Sequence, residues 1–435
     1  MADLSIIPAE HAYQKPLSNQ RWWAVALSCG LIAICNIDRV NLAIVAPIVM
    51  KDFSLSPAAM GIMMSAFFWS YVLVMVPSGW LVNRFGPKLV GFWSCLWWGM
   101  ATACMAAVTG FKSMMAMRIA LGVTESPAYP TSTRVVSVWV PARERTFSSS
   151  AFDSCARIGN AIAPPLVIWV MMGFGWRTSF VVTGMLAVLY AFVWKFNYHE
   201  PDDHPKITSS ELAYIRQNEV LNDDGKVQRS KVIPIWQLFT YRRMILVCIG
   251  AFCYTYYWAN FTMWIPTYLV KAKGFDMPTM GIAAMMPYIA GVSMELLGGY
   301  LMDLWHRHGA SINTLRRTGL GVCLLVAAVT LYLAVISETK VMITVWLTVS
   351  MGVFSFGGGN KWSIPSDIAP YGQSGGITGV MNMVGSMGSI VAPALTGYLA
   401  TGSLGYNGGF IAMAVIVGIG SLVYIVNDYD RLVPK

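Results

Sequence analysis

Asp38 and Arg39 stand side by side in an apolar run from about Ala24 to Met50. A charge at the centre of a bilayer costs about 2.5–3.5 kcal/mol, so an ionised pair at that depth needs partners or water. The two are not alone: Arg118, Glu125, Asp153, Arg157, Glu295 and Lys361 also fall inside apolar segments. A carboxylate lifted toward neutrality by desolvation, with a cation near enough to limit the lift, can take up and release a proton. Asp38 beside Arg39, and Glu125 seven residues after Arg118 on a shared helix face, supply two such couples. An arginine fork matches a carboxylate bidentately, which suits Arg39 to gripping an organic acid. The rival reading of the same residues is a set of mutually neutralised pairs that pin helices together and move no proton.

The elements that must hold these residues follow from composition. The 435 residues are 56% hydrophobic and 12% charged, against about 25% charged in a soluble domain. So little polar surface cannot cover a water-soluble body. The apolar runs are long and continuous, which points to an all-α membrane protein and away from a barrel with short alternating strands. At about 20 residues per crossing, twelve transmembrane helices are expected over 22–48, 57–82, 88–109, 113–138, 147–171, 177–197, 243–269, 278–303, 315–336, 340–364, 374–400 and 407–428. Residues 1–197 and 242–435 form two six-helix bundles in this reading, and the polar stretch 198–241 links them. Within that linker, Ser209-Ser210-Glu211 opens a short helical pattern with a serine as its N-cap.

Placing both termini in the cytoplasm gathers Lys15, Arg21, Arg84, Lys88, Arg143, Arg145, Arg307, Arg316, Arg317, Arg431 and Lys435 into inside loops. The positive-inside rule favours that orientation in a cell inner membrane. It also accounts for the net charge of +9 without nucleic acid. The first 20 residues are polar and show no cleavable signal. All eight cysteines lie in apolar segments without a histidine at metal-ligand spacing, so neither a disulfide framework nor a metal site is expected. No cofactor is implied beyond the proton itself, and the expected partners are a small organic anion and the surrounding lipid, with the chain a monomer.

The halves repeat weakly: Gly79-Trp-Leu-Val-Asn83-Arg84 ends span two and Gly299-Tyr-Leu-Met-Asp303 ends span eight. Gly79 through Lys88 resembles the loop motif of the major facilitator superfamily, with Asn83 where aspartate is usual. Asp38-Arg39-Val-Asn-Leu, Ser65 through Tyr71, Glu125-Ser-Pro-Ala-Tyr-Pro130 and Gly175-Trp-Arg177 are similar to its anion:cation symporter family. That family includes bacterial sugar-acid permeases and vertebrate vesicular anion carriers. The resemblance implies proton-coupled symport of organic anions by alternating access. Arg39 would grip a substrate carboxylate, Asp38 and Glu125 would carry protons, and Arg118 would hold Glu125 in check. Tyr71, Asn382 and Trp362 would contact substrate, while Gly79, Asn83, Arg84 and Asp303 would form the inner gate.

Two positions depart from the sugar-acid carriers, Arg157 in span five and Lys361 in span ten. With Arg39 they put up to three cations around one shared, wettable hollow, which fits a dicarboxylate such as a sugar di-acid or a phthalate-type aromatic acid. The alternative leaves a monocarboxylate site, with Asp153 neutralising Arg157 and Glu295 neutralising Lys361. Tyr257 and Trp362, if they face the cavity, suit a flat acid. An enzyme is not supported, because no nucleophile and base stand at telling spacing and the five histidines all lie in polar segments. A cationic-drug efflux carrier is a distant alternative, disfavoured by the number of embedded cations.

Overall fold

The structure is a computed structural model that describes residues 18–216, 235–368, 374–430 and 432. Its transmembrane helices are α1 (Gln20–Asp52), α2 (Pro57–Cys104), α3 (Phe111–Glu125), α4 (Ala128–Trp139), α5 (Ala142–Phe174) and α6 (Trp176–Asn197) in the first half. The linker contributes the short α7 (Ser209–Arg216) and α8 (Ile235–Leu238). The second half follows with α9 (Arg242–Lys271), α10 (Met277–Arg307), α11 (Ile312–Arg316), α12 (Cys323–Ile336), α13 (Lys340–Phe356), α14 (Gly358–Ile368), α15 (Ser374–Leu399) and α16 (Gly405–Val426).

Ten helical stretches are long and apolar enough to cross a membrane, and the twelve crossings are recovered by two local features. Spans two and three run together as α2, which turns at Gly86 with φ of 80°, a left-handed conformation open to glycine without a Cβ clash. Span four is broken into α3 and α4 around Ser126 and Pro127, so each piece is shorter than a membrane-spanning helix. Start signals are local and chemical. Ser56 accepts a hydrogen bond from the Ala59 N–H ahead of Pro57, and Asp276 does the same for Thr279.

In the first bundle α1 packs on α4, α5 and α6, and α2 on α3 and α6; in the second, α9 packs on α15 and α16, and α13 on α10 and α12. The bundles meet along α2 with α15, α5 with α10 and α1 with α9. On the face away from the linker the contact is backbone on backbone. A Cβ on Gly61 would lie 2.5 Å from the Pro393 carbonyl oxygen, and one on Gly397 would lie 2.5 Å from that of Pro57. Ser65 donates to the Ile390 carbonyl at 2.6 Å just below this seam. At the linker face, by contrast, a Cβ on Gly79 or Gly299 would meet nothing within 4 Å. The bundles are therefore in close backbone contact on one side, whereas Gly79 and Gly299 on the other have open space around them.

The linker is tied down by one carboxylate. Thr208, rather than Ser209, accepts from the Glu211 N–H at 3.3 Å and starts α7. Glu211 in turn caps α1 from outside, accepting the Gln20 and Arg21 N–H groups, each at 3.1 Å, and the Arg21 guanidinium at 3.2 Å. Arg21 also donates to Glu144 at 2.9 Å, which accepts the Tyr214 hydroxyl at 2.9 Å. Burial pushes the Glu211 carboxyl up, but the bonds from Ser18, Arg21 and Gln20 outweigh it and hold the group below the usual carboxylate range. A depressed carboxylate stabilises the fold above its unfolded value and loses that contribution as pH falls through the folded one. Glu211→Gln is therefore expected to lower the melting temperature in detergent at pH 7, and the gap from the parent protein to close below about pH 4, as followed by a thermal-shift titration.

Candidate functional site

The buried charges gather halfway through the membrane in two clusters. In the first, Arg39 on α1 reaches Glu125 at the last residue of α3, with Nε donating to Oε1 at 2.8 Å and Nη2 to the same oxygen. The Cys35 thiol also donates to that oxygen at 3.1 Å. The guanidinium stands 4.9 Å over the Phe67 ring and 5.1 Å over that of Tyr71, which stack on each other. Only 9% of the Arg39 side chain is exposed and none of Glu125. The second carboxylate oxygen of Glu125 has no partner.

These contacts correct two expected pairings. Asp38 does not pair with Arg39, because neighbours on a helix point about 100° apart. Its carboxylate lies instead beside Thr183 and Trp98, fully buried and with both oxygens unpartnered. Arg118 does not hold Glu125 by a hydrogen bond. Its nitrogens donate to the Arg39 and Met64 carbonyls at 3.4 and 3.5 Å, and its guanidinium lies 5.1 Å over the Phe67 ring. Glu125 instead reaches across to Arg39 on α1.

The second cluster crosses between the bundles. Arg157 on α5 contacts Glu295 on α10 at 2.5 Å and Asp153, one turn earlier, at 3.5 Å. Its Nε donates to the Ser355 hydroxyl at 3.2 Å, and its guanidinium lies 5.1 Å over the Trp258 ring. Ser154 donates to Glu295 at 3.4 Å. Of the two alternative pairings, Asp153 with Arg157 is present, whereas Glu295 also turns to Arg157 rather than to Lys361. The Lys361 ammonium stands 4.7 Å over the Tyr254 ring.

Of the remaining residues singled out, Tyr257 lies away from the charges. It bonds Ser350 at 2.8 Å and stacks on Phe354, whose ring separates it from Tyr254. Asn382 is half-buried on α15, and Asn83 and Arg84 are exposed at the linker face. The side chains of Trp362 and Asp303 lie outside the described residues. The expected single hollow is instead two close-packed clusters. Tyr129 lies within electrostatic reach of both Arg39 and Arg157. Beyond the clusters, toward the sealed face, Asn160, Thr262 and Tyr288 line a small space between bundles, and the polar side-chain atoms of Asn160 and Thr262 are unpartnered. Tyr129 lay inside a quoted motif, but its reach across both clusters has no signature in spacing. Among the described residues no group of acids, histidines and cysteines fits a metal ion.

Two six-helix bundles sealed at one face, with ion pairs at their mid-membrane junction, define a polytopic membrane carrier. The family model for the Major Facilitator Superfamily matches residues 27–393. A protein of Bacillus subtilis described as "Probable galactarate/D-glucarate transporter" is 33% identical over 95% of this chain and 94% of its own length. A D-galactonate transporter of Escherichia coli is 32% identical over 95% of this chain and 97% of its own. A solved bacterial homologue of the human lysosomal transporter Spinster, 15% identical, covers 94% of this chain and 97% of its own with a TM-score of 0.73, which shows a shared fold. The chain belongs to the Major Facilitator Superfamily, in the anion:cation symporter-like group that its first and fourth spans resemble.

Breaking one member of a buried pair strands the other at a cost of about 3–5 kcal/mol. Arg39→Met and Glu125→Gln are each expected to lower thermal stability in detergent, and the double variant to lose less than the sum of the two, as measured in a double-mutant cycle.

Proposed function

We propose that this protein is a proton-coupled symporter that imports small dicarboxylates across the inner membrane, with both termini and the linker in the cytoplasm. The observation that carries the reading is Arg39, a guanidinium nearly sealed at mid-membrane, walled by aromatic rings and covered by a single carboxylate. Such a pair is exchangeable in one way: a proton neutralises Glu125, and an incoming carboxylate takes its place on the arginine fork. Asp38, buried beside Thr183 and Trp98, serves as a second proton site, and Arg118 offsets the charge of Glu125.

Anion import into a negative-inside cell is opposed by about 2.3 kcal/mol per charge at 100 mV. Protons taken up with the substrate cancel that opposition. The bundles then rock between a state sealed at the seam of Gly61 and Gly397, as seen here, and one sealed where Gly79 and Gly299 now stand apart. Asn83, Arg84 and Asp303 sit at that second gate. Tyr71, Asn382, Lys361 and Trp362 complete the substrate site, and Arg157 receives a second carboxylate. The relatives described for galactarate and glucarate support a di-acid, and the one described for D-galactonate keeps a mono-acid as the second reading. The unit of function is one chain, with no cofactor other than protons.

The test is uptake of radiolabelled galactarate, phthalate and galactonate into proteoliposomes under an imposed pH gradient. Arg39→Ala is expected to abolish uptake. Glu125→Gln is expected to retain exchange across the membrane while losing accumulation driven by the gradient; intact accumulation contradicts the assignment.

A further inference from the structure

The charges at mid-membrane balance. Four cations, Arg39, Arg118, Arg157 and Lys361, face four carboxyl groups, Asp38, Glu125, Asp153 and Glu295, among the described residues. Glu125 occupies Arg39 inside the first bundle. Glu295 occupies Arg157 from the opposite bundle. The two acids thus do the same thing to the two arginines: each covers a guanidinium fork with a carboxylate, the group a di-acid would present twice.

The surroundings of Glu295 are those of an exchange site. A methyl on Gly358 would stand 3.1 Å from Glu295 Oε1, 3.2 Å from the Tyr254 hydroxyl and 3.4 Å from Arg157 Nη2, so three polar atoms converge on a position kept clear by a glycine. The groups facing Glu295 are Arg157, Asp153 and Ser154 on α5, Tyr254 on α9, and Lys361 on α14 through the Tyr254 ring. Glu295 itself is 6% exposed, whereas Asp153 retains 25% on the same face of α5 as Arg157. Asp153 therefore stays solvated next to the fork, and Glu295 is the sealed partner.

Resting on the dicarboxylate reading above, we infer that Glu295 is a proton-carrying residue in the second bundle, and that its carboxylate on Arg157 holds the place of the substrate's second carboxylate. A proton from solvent neutralises Glu295, the contact with Arg157 is released, and the second carboxylate of the di-acid takes the fork. The bond exchanged is the one that crosses between bundles, so filling the site with a di-acid replaces a direct tie between halves with one made through the substrate. A mono-acid engages Arg39 alone and leaves the Arg157–Glu295 bond intact.

The experiment measures proton uptake and affinity together, in weakly buffered detergent solution, for galactarate, phthalate and galactonate on the parent protein, Glu295→Gln and Glu295→Asp. The expected result is one proton fewer per di-acid in Glu295→Gln, with the slope of log Kd against pH reduced by one. Glu295→Asp is expected to restore both, and galactonate binding to be the same in all three proteins. Di-acid binding by the parent with an unchanged proton count in Glu295→Gln overturns the role of Glu295 alone. A parent that binds galactonate and neither di-acid overturns the dicarboxylate reading, and this inference with it.

Discussion

A guanidinium in the middle of a membrane cannot be left uncovered, and much of this interior follows from that constraint. Burying an ion pair gains little stability over apolar packing of the same shape, while removing one partner is costly. A buried pair is therefore a poor staple and a good switch. Arg39 and Arg157 can lose their carboxylates only when something else of the right charge arrives or when the acid is neutralised. The phenyl and phenol rings of Phe67 and Tyr71 at Arg39, and the indole of Trp258 at Arg157, shield the fork without competing for its hydrogen bonds. Ser355 and Ser154 fix the orientation of the second pair without adding charge.

Glycine has two opposite functions in the scaffold around these pairs. At Gly61 and Gly397 the missing side chains let α2 and α15 touch through their backbones and seal one face. At Gly79 and Gly299 the same absence leaves open space at the other face. Sealing both faces at once would trap the charged centre, and opening both would breach the membrane.

Much of the architecture was legible in the sequence because span length is a one-dimensional property. The apolar runs located every crossing, and the merging of spans two and three and the break in span four follow from Gly86 and Pro127. The charged residues were also legible as candidates, since an ionised group in an apolar run stands out. Their partners were not. Adjacency in sequence suggested Asp38 with Arg39, yet adjacency on a helix means divergence in space. Heptad spacing suggested Arg118 with Glu125, but Glu125 reaches across to Arg39 on α1, a contact between helices that spacing within one helix does not encode. Tyr254 and Tyr257 share a helix face, but the Phe354 ring stacks on both and it is Tyr254 that lies beside Lys361. Which arginine Glu295 would reach depends on how two bundles dock, a distance that no local pattern encodes.

The charge inventory has a consequence for how such a chain is made. Arg39, Arg118 and Arg157 in the first half are matched in number by Asp38, Glu125 and Asp153 in the same half, and Glu295 in the second is matched by Lys361. Each half is electrically self-sufficient. The portion synthesised first can therefore settle in lipid before its counterpart has left the ribosome, with Asp153 keeping Arg157 company in the interim. Docking of the two halves then adds Glu295 to an arginine that Asp153 already accompanies, rather than rescuing a stranded ion.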